Sequence, residues 1–349
     1  MTRRVKVGHI YIGGGSPVSV QTMLDAPSYD VEANVAQALA AEAAGCDLLR
    51  VAVPDADALV TLESVKEAIS VPVVADIHFD YRLALSAIDS GADKIRINPG
   101  NIGGADRVRA VTEKCKANGV AIRIGVNSGS LEKELLEKYG APVPEALCES
   151  ALNAVKLVES FGFYDTVVSI KTSSVVDTVA AYRLFSAASD YPLHVGVTEA
   201  GTEKTGTIRS AVALGALLID GIGDTLRVSL SASPVKEVEA GIAILKACGL
   251  REGAQVVSCP TCGRTRIDVK SLAEQAESLA AKCKKPIKIA VMGCVVNGPG
   301  EARDADIGIT GGDGTGLVFK KGVVVEKVAE SELLSVLENY IKESDNTNE

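Results

Sequence analysis

From about residue 18 to about residue 250, short apolar runs alternate with alanine-rich amphipathic stretches. Strands are expected near 18–22, 48–53, 73–77, 94–98, 121–127, 166–172, 193–198 and 225–231. Helical patterns such as 31–44, 56–68, 81–90, 106–118 and 176–189 lie between them. Gly45, Gly91 and Gly119 follow three of these helices, where a left-handed terminus favours glycine. Eight strand–helix units of roughly 20–30 residues fit an α/β fold of the (β/α)8 TIM-type barrel class. The fifth unit is longer, carrying segment 131–139, a turn at Pro142 and Pro144, and a helix near 145–161. Segment 5–12 reads as one strand of a hairpin plugging the barrel floor.

The pattern changes after about Gly249, so a barrel domain is expected over 1–250 and a second domain over 251–349. The second part reads as a small α+β domain. Its strands lie near 256–258, 287–291, 306–310 and 317–320, and its helices near 271–283 and 331–342.

Bulk composition removes several function classes. Aromatics are 4% and tryptophan is absent, so nothing suggests a base-stacking nucleic-acid surface. A formal charge of −9 argues against general polyanion binding. An anion site must therefore be built locally. The longest apolar run, 211–219, is too short to span a membrane. Arg3, Arg4 and Lys6 are followed by no apolar secretory segment, which points to a reduced, cytoplasmic setting. The eight cysteines then read as metal ligands or small core residues rather than disulfides.

Residues two apart on a strand share a face. Arg96 thus shares one with Asn98, Arg123 with Asn127, and Arg227 with Ser229. Arg50 and Lys171 occupy comparable late positions in their strands. A barrel interior is ordinarily filled by Val, Ile and Leu, and unpaired buried charge costs several kcal/mol. Two explanations stand. The cations pair with Asp76, Asp47 or Glu199, or they line an anion-binding mouth at the C-terminal ends of the strands. Guanidinium groups match phosphate oxygens in pairs, and five cations suit a ligand with more than one phosphate. Asp76 and His78, ending strand three, and Glu199, ending strand seven, belong to the same mouth, with Lys204 in the following loop. A carboxylate there is suited to moving protons. His78 reads equally as a ligand contact or a structural hydrogen-bonder, and His9 and His194 read as structural.

Cys259-Pro-Thr-Cys262 and Gly293-Cys294, the latter followed by a Gly/Pro turn to Glu301, supply the second chemistry. Thiolates two residues apart grip one soft metal centre from a tight turn. Glu301 or Cys283 would complete the set, and the turn before Glu301 favours the glutamate. Zinc is the plainer occupant, but zinc sites often pair one CxxC with another and no second one exists here. Cys259, Cys262, Cys294 and Glu301 suit a [4Fe–4S] cluster whose unique iron has a displaceable oxygen ligand. Cys46, Cys115, Cys148 and Cys248 read as core residues.

These motifs together resemble one family, the 4-hydroxy-3-methylbut-2-en-1-yl diphosphate synthases of the methylerythritol phosphate route to isoprenoids. The resemblance runs nearly end to end. It rests on Val18–Met23, Leu49–Pro54, Val74–Asp80, Ile95–Asn101, Ile122–Ser130, Thr198–Gly201, Cys259–Arg264 and Gly293–Glu301. It matches the short two-domain bacterial form, with Arg266 as a small departure. It implies reductive opening of 2-C-methyl-D-erythritol 2,4-cyclodiphosphate, two electrons entering and one hydroxyl leaving as water. It implies a [4Fe–4S] cluster on Cys259, Cys262, Cys294 and Glu301. Substrate contacts are implied at Arg50, Arg96, Asn98, Arg123, Asn127, Lys171, Arg227 and Ser229, with proton handling at Glu199. It further implies reduced flavodoxin or ferredoxin as electron donor, and a homodimer in which one chain's cluster domain closes over its partner's barrel. Two rivals are a dihydropteroate-synthase-like barrel transferase with a structural zinc domain, and a non-catalytic metal-stabilised module. The second leaves the inward arginines unexplained.

Overall fold

The computed structural model describes residues 1–349 apart from 284, 295–299, 301, 313 and 347–349. The chain divides into two compact units, Met1–Leu250 and Arg251–Glu349.

In the first unit a hairpin of β1 (Val5–Val7) and β2 (Ile10–Ile12) precedes eight parallel strands. These are β3 (Ser19–Met23), β4 (Leu48–Ala52), β5 (Val73–Asp76), β6 (Lys94–Ile97), β7 (Ala121–Asn127), β8 (Thr166–Lys171), β9 (His194–Val195) and β10 (Thr225–Leu226). Their spatial order is β8-β7-β6-β5-β4-β3-β10-β9, and a parallel bridge from Val168 to Leu193 brings the two ends of that order together. The result is the expected barrel, wrapped by helices α1 (Val31–Ala43), α2 (Ala58–Ala68), α3 (Tyr81–Asp89), α4 (Ala105–Asn118), α5 (Lys133–Tyr139), α6 (Pro144–Ser160), α7 (Val175–Ala188), α8 (Glu203–Ile219) and α9 (Pro234–Ala247).

Local chemistry sets the helix ends. Asp30, Asp80 and Ser174 accept from first-turn N–H groups of α1, α3 and α7. Gly119 ends α4 in the left-handed conformation, φ 65°. Pro144 opens α6 rather than sitting in the turn before it, because a first helical position has no use for the missing N–H.

Strand alternation sorts the residues between two environments. Val20, Leu49, Val51, Ala75, Ile95, Ile97, Ile122, Ile124, Val168 and Ile170 face the helices and form the main core. The intervening residues face the barrel interior. At the floor, Val5, Val7 and Ile12 of the hairpin pack on Leu48, Val74, Ala121 and Val167, which lie at or next to strand starts. The plug is thus a whole hairpin rather than one strand.

Two strands are shorter than expected. β9 and β10 stop after two residues, so Glu199, Arg227 and Ser229 lie on the loops beyond them. Beyond the ladder, Thr198 N–H donates to Thr172 O and Arg227 N–H to Val195 O, which keeps these loops against the rim.

The second unit is a five-stranded sheet of β11 (Gln255–Ser258), β12 (Lys288–Val291), β13 (Ile307–Gly312), β14 (Thr315–Lys320) and β15 (Val323–Ala329). The first three run parallel and the rest antiparallel. Helix α10 (Val269–Ala280) and the C-terminal helix Leu333–Asn346 share a core with Ile289, Val291, Ile307, Ile309 and Val318. Among the described residues no helix is long and apolar enough to cross a membrane.

Candidate active site

Asp76 is the hub of the barrel mouth. It is 1% exposed at the end of β5. Its Oδ2 accepts from Arg50 Nη2 at 2.6 Å and faces His78 Nε2 at 2.9 Å, while Oδ1 accepts from Arg96 Nη1 at 3.4 Å. Burial alone would raise the pKa of this carboxyl. Arg50, the His78 hydrogen bond and Arg96 outweigh it and hold the group well below the usual carboxylate range. His78 itself reaches out of the mouth, with half its side chain exposed.

The first explanation for the cations, pairing with carboxylates, holds only in part. Arg50 and Arg96 do pair with Asp76, yet one carboxylate serves two guanidinium groups. Arg123, 1% exposed, has no hydrogen-bond partner for Nε or Nη1 among the described residues. Burial, then Arg50 and Arg96, push its pKa well down despite Asp76. Lys171, at the end of β8, is likewise pushed well down by burial and by Arg123, Arg227, Arg50 and Arg96. Among the described residues no ion pair joins Glu199 to the barrel cations. Asp47 accepts from the Val20 N–H, and Glu199 is exposed. Uncompensated positive charge therefore remains at the mouth, and an anion is what it would favour.

Glycines make room for these long side chains. A Cβ on Gly125 would lie 2.7 Å from Arg96 Nε, and one on Gly196 would lie 3.1 Å from Lys171 Nζ. Asn127, with its oxygen toward Arg96, accepts from Nη2 at 3.2 Å. Asn98 donates to Ser130 Oγ at 3.2 Å and accepts from the Gly100 N–H at 3.1 Å, which fixes its amide at the rim.

Arg227 is held differently. Its Nε and Nη2 donate to Glu237 at 3.0 and 2.9 Å. Glu237, 3% exposed on α9, also accepts from Thr22 Oγ1 at 2.8 Å and the Leu230 N–H at 3.0 Å. Ser229 is half-buried two residues beyond Arg227. Glu199 sits in the left-handed region at φ 52°, a conformation that costs a residue with a side chain about 1–3 kcal/mol. Lys204 lies in the first turn of α8, exposed.

Sequence reasoning missed Glu237, which holds Arg227, and two buried polar residues below the mouth, Lys94 and Gln21. Lys94 and Gln21 were within reach of the alternation rule, since each lies two residues before another inward side chain. Glu237 gives no such signal, because only the packing of α9 on β3 shows its role.

In the second unit Cys259 follows β11, and Cys294 follows β12 after Met292 and Gly293. These neighbouring parallel strands pair Ser258 with Val291, so both cysteines leave the same end of the sheet. Cys259 Sγ accepts from the Gly293 N–H at 3.1 Å. The CxxC turn is tied to the second turn by Arg266 N–H to Gly293 O at 2.9 Å. Arg264, through its backbone N–H and then its side chain, holds the exposed Cys262 thiol below its ordinary pKa. A sulfur that accepts a backbone N–H at Cys259 and a thiol held below its ordinary pKa at Cys262 are donors that fit a soft metal. Glu301 lies outside the described residues, and among those described no three His, Cys, Asp or Glu converge as a ready metal group. No cysteine is in a disulfide. Cys46, Cys115 and Cys148 are buried, and Cys283 lies half-buried beyond α10.

Two family descriptions cover nearly all of the chain: the GcpE TIM-barrel domain over residues 2–242 and the GcpE protein C-terminal domain over residues 255–343. The chain belongs to the GcpE family. Among its relatives, a protein of Caldanaerobacter subterraneus subsp. tengcongensis is 56% identical over 348 residues, covering 98% of each chain. One of Clostridium perfringens is 54% identical over 342 residues, again covering 98% of each. Both are named 4-hydroxy-3-methylbut-2-en-1-yl diphosphate synthase (flavodoxin). Dihydropteroate synthase from Xanthomonas albilineans superposes with a TM-score of 0.51 at 15% identity, covering 70% of this chain and 96% of its own. 3-Dehydroquinate dehydratase from Geobacillus kaustophilus gives 0.50 at 17% identity, covering 71% of this chain and 99% of its own. These two likenesses show the barrel fold alone.

Proposed function

We propose that the chain is a 4-hydroxy-3-methylbut-2-en-1-yl diphosphate synthase. It opens the ring of 2-C-methyl-D-erythritol 2,4-cyclodiphosphate in isoprenoid precursor synthesis. Two electrons and two protons enter, one C–O bond to phosphate breaks, and one hydroxyl departs as water. Family membership and full-length relatives above half identity support the reading. The observation that carries it is the inward face of the barrel, where Arg50, Arg96 and Arg123 gather near one carboxylate and Lys171 adds a further buried cationic side chain beside them. That arrangement suits a diphosphate and not a neutral metabolite.

The barrel's part in the chemistry follows from its charges. Arg50, Arg96, Arg123, Lys171 and Arg227 hold the diphosphate, and Asn98, Asn127 and Ser229 orient it through neutral donors. Phosphate becomes a tolerable leaving group when fixed cations already neutralise its charge. Asp76 holds two of the guanidinium groups and His78 at fixed positions. Glu199 is the proton-handling residue, set at the rim by its left-handed backbone. Cys259, Cys262, Cys294 and Glu301 would hold a [4Fe–4S] cluster, which supplies one-electron transfer to the substrate. Reduced flavodoxin is the donor, and the working unit is a homodimer in the cytoplasm.

Anaerobic protein with about four irons and four sulfides per chain should turn over the cyclic diphosphate only with reduced flavodoxin. Colourless protein carrying zinc, equally active without reductant, would return the function to the transferase rival.

A further inference from the structure

Beneath the arginines the barrel carries a second polar layer that the proposed chemistry does not use. Strand register sets Gln21 beside Leu48, Lys94 beside Val74 and Ala121, and Thr225 beside both Ser19 and His194. Leu48, Val74 and Ala121 pack on the floor hairpin, so these neighbours also face inward. Lys94 lies one inward step below Arg96. Lys94, His194, Gln21 and Thr225 are each 0% exposed. Lys94 Nζ, both ring nitrogens of His194 and both amide atoms of Gln21 have no hydrogen-bond partner among the described residues. Alkyl side chains would fill this level in an ordinary barrel.

The charges facing the layer are nearly all positive. Arg50 comes from β4, Arg96 from β6, Arg123 from β7 and Lys171 from β8. Asp76 of β5 is the one carboxylate on the inward strand faces described, and it is already shared by Arg50 and Arg96. Strands β3, β9 and β10 add Ser19, Gln21, His194 and Thr225 but no carboxylate. Burial, then Arg123 and Arg50, hold Lys94 well below the ordinary lysine range. Burial, then Arg123, Lys171, Lys94 and Arg50, hold His194 well below the ordinary histidine range. A dianion arriving above them offsets the repulsion that adds to burial in disfavouring their charged forms.

We propose that Lys94 and His194 form a proton-accepting layer under the mouth, which takes protons from solvent as the diphosphate ester binds. The barrel thereby adjusts its own charge to that of its ligand. The inference rests on the function proposed above. Binding coupled to uptake weakens as pH rises, by about tenfold per pH unit for each proton taken.

Each phosphate of the cyclic diphosphate has one ester and one anhydride link and a single strongly acidic hydroxyl, ionised well below neutrality, so any uptake belongs to the protein. Isothermal titration of the full-length, cluster-loaded protein with this compound, without reductant, reads it directly. In buffers of one pH but different ionisation enthalpies, the heat should vary with a slope of about one proton per chain. Lys94→Met and His194→Gln should each reduce the slope, and it should survive in His78→Gln. Tight binding with buffer-independent heat in the unsubstituted protein overturns the layer while leaving the function intact. Loss of the slope in His78→Gln assigns the proton to the rim and also overturns it. No binding at all overturns both readings together.

Discussion

Glu237 shows how much of the mouth depends on a residue that never faces the ligand. Its two oxygens take four hydrogen bonds and fix Arg227, Thr22 and the Leu230 backbone. Glu237→Gln leaves Arg227 without its charge partner. A hydrogen bond to a charged group contributes about 1.5–3 kcal/mol, so kcat/KM should fall roughly 10- to 100-fold. Steady-state kinetics beside a urea midpoint separates this from simple unfolding. His194 gives a stability prediction. Its folded-state pKa lies below its unfolded value, so the stability it contributes is present above about pH 6.5 and is lost as pH falls through the folded value. Stability should therefore drop between about pH 7 and pH 5, by at most about 1.4 kcal/mol per pH unit from this group. Thermal melts of His194→Gln should show a shallower decline over that window. A decline as steep as that of the unsubstituted protein would exclude His194 as its source. The Asp76 contribution is also lost on acidification, but only from about pH 4 downward, where the unfolded carboxyl begins to take up its proton.

At the scale of elements, the alternation of short strands and helices was readable because one face of each strand must meet helices and be apolar. Val20, Leu49, Ala75, Ile95 and Ile122 carry that signal. The same rule marked Arg96 and Arg123, because a cation at an inward position breaks the usual filling. It read β9 and β10 too long, since Val197 and Val228 are buried without belonging to a ladder. It missed β15, whose seven residues are mostly exposed. Pairing with β14 alone defines that strand, and an exposed edge leaves no apolar alternation to detect. Glu301 lies outside the described residues, so the fourth ligand remains the expectation drawn from its glycine- and proline-rich turn. The floor hairpin has its own test. Ile12 is fully buried there, and Ile12→Ala should cost about 2–5 kcal/mol of stability without lowering iron content. Denaturant unfolding and metal analysis on one preparation give both numbers.

At the scale of the molecule, the two compact units divide the labour proposed for them. Cys262→Ser should lose its iron and its turnover, yet still bind the cyclic diphosphate with near-normal affinity, because none of the barrel cations lies beyond Leu250. Calorimetry on that variant checks this, and loss of ligand binding would mean that the second unit holds the diphosphate as well. The homodimer can be tested by mixing Arg123→Met with Cys262→Ser chains. Subunit exchange should restore partial turnover if the cluster of one chain serves the barrel of the other, and none if each chain works alone.

The hairpin under the barrel leaves this vessel with a single door. Val5, Val7 and Ile12 stop the lower end with hydrocarbon, so nothing charged passes through. What comes in by the rim must go out by it. The departing diphosphate then occupies the same guanidinium groups that the next molecule needs. Accumulated product should therefore compete with substrate, raising KM and leaving kcat unchanged. Turnover is gated by egress wherever the chemical step is fast.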